Sequence, residues 1–467
     1  MSNENCAVIL AGGQGKRMKS DLPKPMFEVL GEPMLEWVIK ACEGADMSRL
    51  CVVTGFNHEV IEEYLGGRYE TVFQPERMGT GHAVIMAREF LRRYMGGNVL
   101  ILNGDAPFID SETIKKSLEL HERENNAVTV ITAEVDDPKG YGRIIRGEDG
   151  IRGIVEENDA SVEQKKIREI NSGAYWFNIE KLIDALGQLK PANSQREYYL
   201  TDTIFILISM GFRADAYISE NSDSVLGAND RKGLLMLNNC ARYAIINKLF
   251  DEGVEFVCTD GVSIGRDVKI GRGTRILQGC IIGGNTEIGE NCVIGPNCVI
   301  DNCTIGENVT LNSVQAHDSR VNSGAHIGPF VQLRPGCVIG EGVKIGDFVE
   351  VKNSNIGDNT SISHLTYIGD SDVGSGVNIG CGVATCNYDG EKKFRTQIGD
   401  NAFIGCNTNL VAPVKIGNAA YTGAGTTVTK DVPDGALVLG RPDEKIVEGF
   451  GTKRLASRIE KAKKSGK

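Results

Sequence analysis

Ile264–Ile300 reads IGRDVKIGRGTRILQGCIIGGNTEIGENCVIGPNCVI, with isoleucine at 264, 270, 276, 282, 288, 294 and 300, a strict spacing of six. Five of the seven are followed by glycine, at 265, 271, 283, 289 and 295. Ile-Gly pairs beginning at 327, 339, 345, 368, 379, 398, 404 and 416 continue the pattern with slips and insertions. A six-residue repeat predicts a parallel β-helix: one short strand and one corner per unit, three units per triangular coil, the aliphatic residue inward. Coils stacked at the ~4.8 Å strand spacing bury a continuous aliphatic column. Cys280, Cys292, Cys298, Cys303 and Cys337 each stand two residues before an aliphatic repeat position. They read as small packing residues, because the short C-x₂-C pairs of zinc sites are absent.

Outward from the repeat, the 467-residue chain has room for two or three domains. Of its 57 glycines, 22 lie in residues 1–229 and 30 in residues 261–440, while Trp37 and Trp176 both lie in the first half, so two architectures are joined. The net charge of −11 excludes a globally basic nucleic-acid binder but not anion sites built locally. No run of 18 apolar residues occurs and Met1–Ala7 carries no basic segment, which predicts a cytoplasmic protein with no membrane partner. The thirteen cysteines fit reduced thiols there.

The first half alternates apolar runs at Cys6–Leu10, Leu50–Thr54, Asn98–Leu102 and Ala127–Thr132 with helical patterns at Met34–Gly44, His58–Leu65, Gly81–Tyr94 and Ser111–Glu124, the last capped by Ser111. Such alternation predicts an α/β domain with a mostly parallel sheet. A stripe of Leu234, Leu237, Ala241, Ala244, Ile245 and Leu249 predicts a connecting helix. The expected division is 1–229, a linker helix over 230–253, the β-helix over 254–440, and a basic tail over 441–467 with nine Lys/Arg against four Asp/Glu.

Leu10–Met18, LAGGQGKRM, follows the first strand, and its glycines let backbone amides approach a polyphosphate. It lacks the G-K-[ST] of a P-loop, leaving a dinucleotide-binding turn as the rival. Gln74, Gly79-Thr80-Gly81 and the strand end Asn103-Gly104-Asp105 favour a nucleotide base and phosphates at the strand ends of an open α/β sheet.

LAGGQGKRM, DLPK, GTGHA, NGDAP, GYGRI, GIVEE, EINSG and GAND, in that order and followed by hexapeptides, resemble the bifunctional bacterial GlmU family over about residues 1–440. The resemblance implies a Rossmann-like nucleotidyltransferase domain, a left-handed parallel β-helix and a homotrimer. It implies acetyl-CoA-dependent acetylation of glucosamine 1-phosphate, then uridylyl transfer from UTP to N-acetylglucosamine 1-phosphate, supplying UDP-N-acetylglucosamine for the cell wall. By the same resemblance Leu10, Ala11, Gly12, Gly13, Gln74, Gly79, Thr80, Asn103 and Gly104 surround the nucleotide, Lys24 and Arg17 neutralise phosphate, and Gly142, Glu156 and Asn171 bind the sugar. Asp105 and Asn229 hold one or two Mg²⁺. Lys16 and Asn103 depart from the family, where threonine and an aromatic residue are commoner.

In the β-helix the interruptions are informative: Arg334-Pro335-Gly336 replaces an Ile-Gly corner, Lys352 follows Val351, and Thr385–Gln397 is an insertion. Arg334, Lys352 and Lys393 are candidates for a sugar phosphate. The resemblance assigns Arg334, Lys352, Tyr367 and Asn378 to that substrate and His364 to the role of general base, a role suited to histidine because an amino sugar must lose a proton before it attacks a thioester. Cys381, Asn387, Tyr388, Cys406, Ala424 and Arg441 would surround acetyl-CoA. Cys406 departs from the family's serine, and direct transfer requires no acetyl-cysteine. The rivals are a single-activity pyrophosphorylase with a non-catalytic β-helix and a non-catalytic nucleotide-sensing scaffold.

Overall fold

A computed structural model of the chain describes residues 5–147, 150–191, 197–440 and 444–464, in two units of residues 1–247 and 248–467. In the first, a sheet runs in the order Ala214–Ile218, Val128–Glu134, Glu169–Asn178, Asn98–Asn103, Cys6–Leu10, Leu50–Thr54, Glu70–Phe73. All neighbours are parallel except Glu169–Asn178, which runs against both of its partners. The hairpin Arg143–Gly147/Gly150–Val155 attaches to that reversed strand. Helices cover both faces, over clusters centred on Val8, Val53 and Phe177 on one side and Ile9, Val52 and Trp176 on the other. The chain leaves Cys6–Leu10 first toward Leu50–Thr54 and later returns on its other side as Asn98–Asn103. The carboxyl ends of these two strands therefore form a topological switch point, where open α/β sheets bind ligands. Leu10 and Asn103 are register partners there.

Three local expectations are corrected. Asp110, not Ser111, caps the helix Ser111–Arg123 by accepting from the Thr113 backbone N–H at 2.7 Å, while the Ser111 hydroxyl donates to the Ala41 carbonyl. The stretch expected to be one helix over Gly81–Tyr94 is two, Thr80–Met86 and Arg88–Arg92. In the helix Arg231–Asp251, Ile246 is buried and Ala244 exposed, and its Leu237 and Ala241 pack with Met18, Phe27, Met34 and Trp37. That helix is part of the first unit's core as well as a connector.

The second unit is a parallel β-helix of three sheets with 11, 10 and 9 strands, in which every third strand pairs. Ile264, Ile282 and Ile300 are register partners, so three hexapeptides make one coil, and the seven isoleucines at the six-residue spacing are all buried, whereas Ile281, off that spacing, is exposed. Some later coils are slightly shorter, with Ile300 paired to Ala316 and Ile345 to Ile362. The coil holding the insertion is longer, and Ile379 pairs with Ile404 across the extra residues.

The glycines divide into two roles. Gly271, after Ile270, is required by close stacking, since a Cβ there would lie 2.6 Å from the Glu290 backbone nitrogen of the next coil. The left-handed corners are separate positions, shared between glycine and asparagine: Gly273 with φ +73°, then Asn291 with φ 56° one coil above. Asparagine tolerates that region better than other side chains do, which is why the glycine count alone understates the corners. Cys280, Cys292, Cys298, Cys303 and Cys337 are all buried in the coil, and burial pushes the Cys303 thiol up to about 11. Among the described residues no group of three or more His, Cys, Asp or Glu converges for a metal. Among them, too, no helix is long and apolar enough to cross a membrane.

Candidate active sites

At the switch point two cavities adjoin. One, of about 370 Å³, is lined by Leu10, Gly12, Gly13, Gln74, Arg77, Gly79 and Thr80; the other, of about 440 Å³, by Gly142, Glu156, Asn171, Tyr175 and Asn229. Lys24, Thr80, Asn103, Asp105 and Glu197 line both. The sequence candidates thus sort into a nucleotide chamber and a sugar chamber that meet at a lysine and an aspartate. Ala11 and Gly104 are buried beside the chambers without lining them. Ala11 donates its N–H to the Val53 carbonyl, and Gly104 to that of Leu10, so both tie the strand ends together. Lys16 and Arg17 lie on the turn Lys16–Met18, outside the lining residues. Arg77, missed in the sequence, is the arginine that lines the nucleotide chamber, where it donates to Gln14 at 3.1 Å across the loop.

The Lys24 ammonium forms an ion pair with Asp105 and donates to Asn229 Oδ1 at 2.9 Å. One carboxylate and one amide oxygen, far apart in the chain, therefore converge on a single cationic group. Such a hard-oxygen pair fits a divalent cation whose remaining ligands come from phosphates and water. In the sugar chamber, Asn171 donates to the Tyr175 hydroxyl at 2.8 Å, and its own backbone N–H reaches the Gly142 carbonyl. Burial, with Asp159 and Asp202 adding to it, holds Glu156 above the usual carboxylate range.

The β-helix site becomes legible from the register. Ile345, Ile362, Ile379, Ile404 and Thr422 are successive partners in five coils. Two residues beyond each stand Asp347, His364, Cys381, Cys406 and Ala424, one column along a corner. The backbone hydrogen bonds agree: Gly382 N–H reaches the His364 carbonyl, Asn407 that of Cys381 at 2.7 Å, and Gly425 that of Cys406 at 2.8 Å. Proposed base and proposed thioester neighbours share one edge, about 5 Å apart per coil. His364 is half-exposed, and its Nδ1 lies 2.6 Å from Asp347 Oδ1. This hydrogen bond holds the Asp347 carboxyl below its usual range. An ionised carboxylate only accepts, so Nδ1 carries the imidazole proton and Nε2 keeps its lone pair for chemistry. Asp347 escaped the sequence reading, although it lies one coil before His364.

A second column, one residue past Leu333, Val351 and Ile368, carries Arg334, Lys352 and Gly369. A Cβ on Gly369 would fall 2.2 Å from the Tyr367 hydroxyl, so the phenol lies over the glycine, in line with the two cations. Asn378 is exposed on the neighbouring face. The inserted residues form a small hairpin, with Tyr388 bridged to Lys393 and the Phe394 N–H on the Asn387 carbonyl at 2.9 Å. The hairpin delivers the Lys393 ammonium to Lys352; this neighbour, with burial, pulls Lys352 below its usual value. Arg334 pairs with Glu350 at 3.0 Å. Crowded cations of this kind suit an anionic group.

Asp370, buried beneath them, accepts from Asn353 at 2.6 Å and from Asn387. Burial opposes its ionisation, but those amides and the Lys352 and Lys393 charges outweigh it and hold the carboxyl below its usual range. With the folded value lower than the unfolded one, the ionised carboxylate adds stability that is complete above the ordinary carboxylate range and is lost as pH falls through the lowered value. Asp370→Asn is expected to flatten the acid limb of thermal melting plotted against pH, below the ordinary carboxylate range; an unchanged limb would refute it. Tyr388 is exposed, and Arg441 lies outside the described residues. The helix Phe450–Lys464 is exposed along its whole length.

A nucleotidyl transferase family model matches residues 6–224, and the six-repeat bacterial transferase hexapeptide model matches 285–313, 318–353 and 395–430. The bifunctional protein GlmU of Acetivibrio thermocellus is 45% identical over 456 residues, 97% of this chain and 99% of that protein. The chain belongs to the GlmU family. Its other relatives there include the bifunctional proteins GlmU of Caldanaerobacter subterraneus subsp. tengcongensis, 47% identical over 97% of this chain and 98% of that one, and of Streptococcus agalactiae, 41% identical over 96% and 98%. Like other GlmU members it is a bifunctional transferase, a nucleotidyltransferase unit followed by a left-handed hexapeptide β-helix, and its substrates are small molecules.

Proposed function

We propose that the β-helix transfers the acetyl group of acetyl-CoA to glucosamine 1-phosphate, and that the front unit then transfers the uridylyl group of UTP to the product, N-acetylglucosamine 1-phosphate, releasing pyrophosphate. The observation that carries this reading is the corner column on which Asp347, His364, Cys381, Cys406 and Ala424 stand in consecutive coils beside the Arg334–Lys352 cations. The sugar phosphate rests on Arg334, Lys352 and Lys393, with Tyr367 and Asn378 beside it. His364 Nε2 takes a proton from the amine as nitrogen attacks the thioester carbonyl. The C–S bond breaks, and the proton passes to the departing sulfur. Asn387, Tyr388, Cys406, Ala424 and Arg441 are assigned to acetyl-CoA with Cys381, and the half-exposed base on an open edge argues for cover by another subunit of a homotrimer.

In the front unit the sugar phosphate is already an anionic nucleophile, so catalysis is alignment and charge neutralisation. The nucleotide chamber orients UTP, the sugar chamber holds the acceptor through Gly142, Glu156 and Asn171, and Lys24 stands where they meet. Asp105 and Asn229 would hold Mg²⁺, which when bound neutralises the phosphates. The assigned functional division is 1–229, 230–253, 254–440 and 441–467, and the compartment is the cytoplasm. Product analysis with glucosamine 1-phosphate, acetyl-CoA and UTP, each omitted in turn, tests the reading. Free CoA should form without UTP, and pyrophosphate should require the acetylated sugar. Pyrophosphate release with no CoA release under any condition would leave a single-activity enzyme and sink it.

A further inference from the structure

His82 is absorbed by neither site. It lies in the first turn of the helix Thr80–Met86, behind the nucleotide chamber rather than in its lining. Gln74 is buried and lines that chamber. Its side-chain Nε2 lies 3.3 Å from the Gly79 carbonyl oxygen and 3.0 Å from His82 Nδ1. A carbonyl can only accept, so the amide nitrogen must be the atom facing Gly79, which sets the orientation of the whole amide. Both of its N–H bonds are then spent, one on Gly79 and one on His82. The imidazole accepts at Nδ1 and carries its proton on Nε2. Gln74 Oε1 faces the opposite way, toward the glycine loop: a Cβ on Gly12 would lie 3.0 Å from it. Gly12 and Leu10 line the same chamber. The wall therefore presents an acceptor, with no amide donor left over, to whatever base enters.

We infer that His82 is a positioning residue that locks the Gln74 amide and thereby selects a pyrimidine carrying N3–H, as uracil does, over cytosine, whose N3 is itself an acceptor. The inference rests on the nucleotide chamber being the UTP site. Cytosine would bring two lone pairs face to face, and a polar site built for one hydrogen-bonding partner rejects its mismatch far better than an apolar pocket does. Thymine shows the same edge as uracil, so this contact leaves the 5-methyl group unread.

Uridylyl transfer by the full chain, measured with UTP and with CTP, tests the inference through three variants. In H82Q the amide sits at the position of Nε2 and the Nδ1 acceptor is lost; in H82N the side-chain oxygen takes the place of Nδ1. H82Q is expected to raise the KM for UTP about tenfold and to lower the UTP-over-CTP ratio of kcat/KM about tenfold, with kcat within about threefold of wild type. H82N should keep the wild-type ratio. Q74A should lose the ratio at least as fully as H82Q. A wild-type ratio in H82Q alongside a lost ratio in Q74A would overturn the role of His82 while sparing the chamber assignment. Equal damage in H82N and H82Q would reduce His82 to packing and also overturn it. A Q74A variant with wild-type KM and ratio would place the base elsewhere and refute the underlying reading.

Discussion

Replacing His364 with alanine is expected to lower acetyl transfer to glucosamine 1-phosphate by about 10²–10⁴-fold, the range of a positioned general base, while uridylyl transfer stays at the wild-type rate. The fall should appear in kcat, because the cations proposed to hold the phosphate include Arg334 and Lys352, on a column separate from the imidazole. Asp347→Asn provides the companion measurement. The aspartate accepts the Nδ1–H, whereas an asparagine amide can donate to Nδ1, shift the proton to Nε2 and occupy the lone pair that must take the amine proton. At least about a tenfold fall in kcat is expected for this near-isosteric change. Because His364 keeps the Asp347 carboxyl below its usual range, the carboxylate remains ionised down to acid pH, and its loss should not shape the pH profile near neutrality. Wild-type acetyl transfer in His364→Ala would remove the base from the mechanism and leave the corner column a structural coincidence.

Asp105→Ala is the front-unit counterpart. Uridylyl transfer should fall on the order of a thousandfold, since removing the carboxylate that pairs with Lys24 where the chambers meet removes several kcal/mol of charge stabilisation. The Lys24 ammonium loses its ion partner and keeps its hydrogen bond to Asn229. Acetyl transfer in the same preparation should be unchanged, which distinguishes a lost site from a misfolded chain. Raising Mg²⁺ should recover part of the activity in Asn229→Ala, which keeps the carboxylate, and little in Asp105→Ala. Equal recovery in both variants would argue that neither side chain holds the cation.

The β-helix was legible from one apolar residue type at a fixed interval, because each hexapeptide closes its own strand and corner with its immediate neighbours. The first strand and helix of the front unit, Cys6–Leu10 and Met34–Gly44, were legible for the same local reason. The reversed strand Glu169–Asn178 was not. Its direction is set by the strands on either side of it, Asn98–Asn103 and Val128–Glu134, and its own residues carry no mark of it. Asp110 displaced Ser111 as the cap by similar logic: either side chain could serve, and the Ser111 hydroxyl was already given to Ala41.

Residue types at the two sites were readable, but partnerships were not. His364 stood out as a histidine in a repeat, whereas Asp347 became its partner only because the coil between them falls just short of three full hexapeptides. Cys406 reached the same edge only because the lengthened coil from Ile379 to Ile404 throws its excess outward as the hairpin bearing Lys393. By itself, the sequence determined the existence of two architectures, the period of the second, and the family. The tertiary structure alone decided which side chains share an edge, because each slip or insertion is absorbed at one corner or thrown outward as a loop while the strands stay in register, and residue spacing alone does not say at which corner.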